Sequence, residues 1–147
     1  MFKKLSKNTD TEWEFIDGTY VKAHQHSAGA CSGESQAIGK SRAGLTTKIH
    51  LAVDSYGLPI EFMITGGEVH DSTAAAELIE KLPDAEAIMA DKGYDSEKIS
   101  EQIEAKGARA VIPRKSNSLI GNDGMDWALY KYRHLVAMVC AFLWLPM

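Results

Sequence analysis

Two short stretches of this 147-residue chain carry acids where chemistry could be done. "FIDGT" places Asp17 inside a run of strand formers, and "AIMADKG" makes Asp91 the first polar residue after an apolar run. In mixed α/β sheets, strand ends and the loops behind them are where sites assemble. Two carboxylates converging there could hold a hard divalent cation such as Mg²⁺, which takes oxygen ligands from one or two carboxylates and from substrate phosphates. A pair of such ions about 4 Å apart clamps the attacking and leaving oxygens of a phosphodiester. Asp before Gly is also ordinary turn chemistry, so spacing alone leaves open a metal pair and two plain turns. A third carboxylate on the last helix, facing the same point, would decide for the metal.

The elements that must position these acids follow from periodicity and punctuation. Residues 1–11 are polar and read as a loose segment, with one domain expected over residues 12–147. Glu12 to His24 is rich in strand formers, and Gly18 predicts a bend or bulge within that strand. Gln25 to Leu45, rich in Gly, Ser and Ala, reads as a flexible loop. Thr46–Val53 and Pro59–Thr65 flank the turn residues "DSYG" and read as a hairpin. "HDSTAAAELIEKLPD" is a helix with Asp71 or Ser72 as N-cap and Pro83 just beyond its end. Ala87–Ala90 is a short buried strand, "SEKISEQIEAKG" an amphipathic helix capped by Ser96 and stopped at Gly107, and "ARAVIPRK" another strand. A last helix opens at Asp123 or Asp126. Three antiparallel strands followed by alternating strands and helices predict a mixed α/β sheet flanked by helices.

Composition narrows the partners. Apolar residues make up 45%, charged residues 24%, and the net charge is −4. That balance suits a globular protein and supplies no whole-protein basic field for nucleic acid. Any DNA contact must come from a local basic stripe or from a partner domain. Cys31 and Cys140 lie outside any CxxC pair, which argues against zinc or a disulfide framework and for free thiols in a reducing cytosol. The N-terminus lacks the apolar stretch of a signal peptide. The oily ending from Leu135 falls short of the roughly 20 residues that cross a bilayer, so it reads as a buried helix and no membrane partner is expected.

"FIDGTYVKAHQH", "RAGLTTKIHLAVD", "ITGGEVHDST" and "ADKGYDS", in that order, resemble the catalytic domain of insertion-sequence transposases of the IS5 group, within the larger IS4-type class. The resemblance covers residues 12 to 136. It implies an RNase H-like fold, a catalytic Asp-Asp-Glu (DDE) triad and two Mg²⁺ (or Mn²⁺) ions. Asp17 then matches the first catalytic, metal-binding acid and Asp91 the second. It also implies DNA as partner, both element ends and target, and either a full-length transposase or a second copy of the chain as protein partner. A cytoplasmic protein, nucleoid-associated when DNA-bound, follows. The strand order read above fits an RNase H-like sheet independently, and Asp17 and Asp91 fall where that fold carries its first two acids.

The third acid is the departure. In this class the last helix carries Tyr, two residues, Arg, three residues, Glu, six residues, Lys. Tyr130 and Arg133 begin the signature, but the glutamate position is Ala137, the lysine position is Trp144, and no acid follows Asp126. Separations of 3, 4 and 7 residues put these four positions on one helix face. "MVCAFLWLPM" looks like the usual extreme C-terminus of these transposases. That pattern suggests an in-frame deletion joining "RHLV" to "AMVCAFLWLPM", in a chain that also lacks the N-terminal DNA-recognition region of full-length relatives. Activity is expected to be absent or very weak. The competing class is a non-catalytic protein that binds DNA or a full-length transposase and interferes with it. A stand-alone nuclease would need another acid, with Glu34 and Asp71 as candidates.

Among the cations, Lys40, Arg42 and Lys48 cluster around the flexible loop, and Lys92, Arg114 and Lys115 lie on later loops. They could contact DNA phosphates or be solvated surface charge. By the resemblance, Arg133 sits one helical turn before the third acid, where a guanidinium can hold a phosphate or a carboxylate, and Tyr130 shares its face. His24, His26 and His50 read as loop or site-adjacent residues rather than zinc ligands, and Asp71 most simply as a helix cap.

Overall fold

The protein is described by a computed structural model over residues 12–22, 39–41 and 44–143. Among these residues six strands form one mixed sheet: β1 (Trp13–Lys22), β2 (Gly39–Ser41), β3 (Gly44–Val53), β4 (Pro59–Gly66), β5 (Ala87–Ala90) and β6 (Arg109–Val111). The order is β2-β3-β1-β5-β6, with β4 also on β3. β1 runs antiparallel to β3 and parallel to β5, so Ile16 lies opposite both Ala52 and Ala90. β5 is buried along its whole length between two parallel neighbours. A continuous apolar run rather than alternation is the sequence such a strand requires.

Helices cover both faces. α1 (Asp71–Lys81) and α2 (Glu97–Ala105) pack on one. There Leu78, Ile79, Ile99 and Ile103 meet Ile16, Ala52, Ile88 and Ala90. The other face is covered by α3 (Trp127–Tyr130), a 3₁₀ turn (Lys131–Arg133) and α4 (His134–Leu143). Here Leu129 and Val136 pack on Phe15, Leu51, Val53 and Met89. Strand alternation thus sends Ile16 and Gly18 toward α1, and Phe15 and Asp17 toward α4. A three-stranded antiparallel meander followed by strand–helix units is the RNase H-like arrangement. Among the described residues no helix is long and apolar enough to cross a membrane.

Several local expectations change. β1 has no bulge at Gly18: its register with β3 runs without interruption from Phe15–Val53 to Lys22–Thr46, and the irregularity lies instead at Ala52/Val53, where β3 meets β4. Part of the expected loop pairs with β3 as β2. The N-cap of α1 is His70, without a side-chain capping bond, because the Asp71 carboxylate is engaged by Lys48. Asp126, not Asp123, caps α3, its carboxylate accepting from the Leu129 N–H at 2.9 Å.

Candidate active site

Asp17 and Asp91 come together because their strands do. Ile16 pairs with Ala90 in parallel register, so the residues that follow, Asp17 within β1 and Asp91 just past the end of β5, emerge side by side on the same face. Asp91 Oδ1 accepts the Lys92 N–H at 2.7 Å, which starts the short 3₁₀ turn Lys92–Tyr94. Asp17 Oδ1 accepts the Gly18 N–H at 3.0 Å.

The C-terminal helical stretch supplies two more groups. Its start is fixed to the sheet edge, since Asp126 also pairs with Arg109 at 2.9 Å. The 3₁₀ turn brings residues three apart over one another, and the Arg133 guanidinium lies 5.4 Å from the centroid of the Tyr130 ring. One nitrogen of Arg133, Nη1, is 3.8 Å from Asp17 Oδ1 and 3.8 Å from Asp91 Oδ2. The Tyr130 hydroxyl donates to Asp91 Oδ1 over 3.4 Å.

Electrostatics follow from this geometry. Burial pushes the Asp17 carboxyl above its ordinary pKa, and the neighbouring Asp91 adds to the rise, while the Gly18 N–H, Arg133 and Lys48 oppose it. Burial likewise raises the Tyr130 phenol, with Arg133 opposing and Asp91 reinforcing. Charge-assisted hydrogen bonds close to about 2.7–2.9 Å, so at 3.8 Å Arg133 balances the two acids without saturating them. The donor set is hard oxygen from two carboxylates at one edge, which fits Mg²⁺ or Mn²⁺ completed by phosphate and water. Among the described residues no group of three His, Cys, Asp or Glu side chains forms a fuller metal cage. Ala137, at the position expected for the third acid, is exposed on α4.

The remaining sequence-derived candidates are dispersed. Lys92 is exposed beside Asp91. Lys40 lies on β2 with its side chain outside the described residues, where Arg42, Glu34, His24, His26 and Cys31 also fall, as does the side chain of Cys140. Lys48 is not a surface cation: it is 4% exposed and ion-paired with Asp71, on the sheet face opposite the two acids. Arg114 pairs with Asp95 at 3.2 Å. His50 is fully buried between Tyr94 and Thr65. Sequence reasoning missed Tyr94 altogether, and it missed Glu14, buried on β1 with neither carboxylate oxygen hydrogen-bonded. Parity along the strands was the available signal. Lys48 and His50 alternate with Ile49 and Leu51, and Glu14 shares parity with Ile16.

Comparison with known proteins fixes the family. The profile of the transposase DDE domain matches residues 15–136. The chain belongs to this transposase family. It is 32% identical over 96 residues to a protein of Brucella ovis assigned as the transposase for insertion sequence element IS6501, covering 63% of this chain and 71% of that one. It is 28% identical over 113 residues to a Burkholderia cepacia protein assigned as the transposase for element IS402, of which it spans 51%. Among solved structures, a piggyBac transposase synaptic complex with hairpin DNA matches with a TM-score of 0.54 at 15% identity, over 80% of this chain and 26% of that one. That likeness is one of fold.

Proposed function

We propose that the chain carries the metal-binding acids of an insertion-sequence transposase of the IS5 group, for DNA cleavage at element ends and transfer of the 3′-OH into target DNA. The observation that supports this most is the placement of Asp17, within β1, beside Asp91, just past the end of the parallel strand β5, both 3.8 Å from one Arg133 nitrogen. Asp17 and Asp91 would hold Mg²⁺ or Mn²⁺. When bound, such ions activate water and stabilise the leaving oxygen of a phosphodiester. Arg133 is positioned to balance the acids when they are bare and to meet a DNA phosphate when a metal takes them over. Tyr130 orients Asp91 through its hydroxyl. Lys92, exposed beside Asp91, and the cations Lys40 and Arg42 are candidate phosphate contacts.

Ala137 favours a second element of the reading. The alanine where the family signature has its glutamate supports reading this copy as impaired. An in-frame deletion after "RHLV" accounts for the apolar continuation. What remains would act by binding DNA or a full-length transposase, cytoplasmic and nucleoid-associated.

Nicking of supercoiled plasmid in Mg²⁺ or Mn²⁺ tests both. Metal-dependent nicking lost in Asp17→Ala and in Asp91→Ala supports a working two-acid site. Folded protein that binds Mn²⁺ through these acids and does not nick supports the binding remnant. Nicking that survives both substitutions sinks the assignment of the acids.

A further inference from the structure

Behind the acids, on the opposite face of the sheet, lies a buried polar cluster that the chemistry above does not use. Lys48 pairs with Asp71, the first residue of α1, and donates to the Tyr20 hydroxyl at 3.2 Å. His50 shares hydrogen bonds with the Tyr94 hydroxyl at 3.0 Å through Nδ1 and with the Thr65 hydroxyl at 3.1 Å through Nε2. Lys48, His50 and Tyr94 are 4%, 0% and 2% exposed. Well-packed apolar side chains fill such a space at least as favourably as a buried ion pair, so stability alone does not account for this set.

Its contacts with the backbone do. Gly18 follows Asp17 and lies opposite His50 in the β1–β3 register. A methyl group there would stand 2.7 Å from Lys48 Cε, 2.9 Å from the Tyr94 hydroxyl and 3.4 Å from His50 Nδ1. Gly93 lies two residues after Asp91, and a methyl group there would stand 2.7 Å from Asp71 Oδ2. The glycines therefore suit the close approach of these side chains, and not any special backbone angle. The cluster bears on the main chain of the first acid through Gly18 and on that of the second through Gly93 and Tyr94. Five elements (β1, β3, β4, the start of α1 and the turn after β5) meet on it.

We infer that Lys48, His50, Asp71 and Tyr94 are positioning residues that set the separation of the Asp17 and Asp91 carboxylates by clamping the peptide next to each. The functional consequence rests on the proposed role of the two acids as metal ligands. The clamp itself is a property of the metal-free chain.

Two readouts on Tyr94→Phe, which deletes one oxygen and keeps the ring, separate these levels. In metal-free protein, amide hydrogen exchange followed by NMR should accelerate together at Gly18 and Lys92, whose N–H groups bond to Asp17 and Asp91. About tenfold is expected, the size of one lost buried hydrogen bond. Mn²⁺ titration followed by EPR should show affinity falling by a similar factor, while Ile99→Val, a core change of comparable burial, leaves it unchanged. Asp71→Asn keeps the side-chain shape against Gly93 and should retain Mn²⁺ affinity where Asp71→Ala does not. That pattern also excludes Asp71 as a ligand in its own right. If Tyr94→Phe does not fold, the same measurements on Asp71→Asn and Asp71→Ala decide.

Unchanged exchange at either amide, or a rise spread evenly over the sheet, overturns the clamp. Wild-type protein that binds no Mn²⁺ defeats the metal assignment, while the exchange data still decide the clamp.

Discussion

The two faces of the sheet treat charge in opposite ways at the same point along β1. On the α4 side, Asp17, Asp91 and Arg133 keep 20%, 40% and 29% of their side-chain surface exposed and meet at 3.8 Å. On the α1 side, Lys48 keeps 5% and is in direct contact with Asp71, and His50 uses both ring nitrogens at 3.0 and 3.1 Å. One set is balanced but unsaturated, which leaves room for a cation and a phosphate. The other is tightly paired, Lys48 with Asp71 and Tyr20 and both His50 ring nitrogens with hydroxyls, and holds its shape. A single peptide, Asp17-Gly18, joins them: its carboxylate faces the open set and its glycine is pressed by the closed one.

The sharpest way to break this comparison is to remove one partner from each side. Asp71→Ala leaves the Lys48 ammonium buried and unpaired, and should cost about 3–5 kcal/mol in urea unfolding. Arg133→Ala removes a partly exposed cation at long range and should cost less than about 1 kcal/mol. The double change Lys48→Met with Asp71→Leu should recover most of the loss from Asp71→Ala, since no stranded charge remains. Equal losses on the two faces would mean that the faces differ in exposure only and not in role.

A smaller effect comes from pH, because the buried side of the sheet also holds two groups whose protonation differs between folded and unfolded chain. Burial raises Glu14 from 4.5 to about 8, with Lys106 opposing and Asp84 reinforcing. Burial lowers His50 from 6.5 to about 4, helped by Lys48 and opposed by Asp71. Folding therefore takes up a proton at Glu14 between about pH 4.5 and 8, so that contribution to stability falls as pH rises. Folding releases a proton at His50 between about pH 4 and 6.5, so that contribution falls as pH drops. The two slopes, each about 1.4 kcal/mol per pH unit, cancel between pH 4.5 and 6.5. Above 6.5 Glu14 acts unopposed, and stability should drop by roughly 2 kcal/mol by pH 8. Unfolding curves at pH 6.5 and 8 check this, and Glu14→Gln should flatten the difference.

Much of the open side was legible in the sequence, and the closed side was not. Asp17 and Asp91 stood out because each interrupts or ends an apolar run, and Tyr130 and Arg133 because their spacing matches a helix face. Those are local signals. The closed side is built from residues whose local reading points elsewhere. Asp71 before an alanine-rich run looks like a cap, and only the arrival of Lys48 from β3 takes its carboxylate away. Gly18 beside Asp17 looks like a bulge, and only His50, Lys48 and Tyr94 converging from elsewhere in the chain reveal it as a gap left for side chains. Tertiary contact overrode local chemistry at those positions, and no window of neighbouring residues contains the information.

The smallest effect is the one that separates the faces by sign. At neutral pH the Asp17 carboxylate is held, by burial and by Asp91, in a place that disfavours its charge. Asp17→Asn keeps the shape and the acceptor for the Gly18 N–H while removing that charge. It should leave the metal-free protein unchanged or more stable by up to about 1 kcal/mol, while abolishing Mn²⁺ binding. The same isosteric change at Asp71 should destabilise, because there the charge is answered by Lys48. An acid whose neutralisation helps the fold and harms ligand binding is retained for the ligand. If Asp17→Asn instead destabilises as Asp71→Asn does, Asp17 is a structural anchor, and the open face has no claim to chemistry beyond that of the closed one.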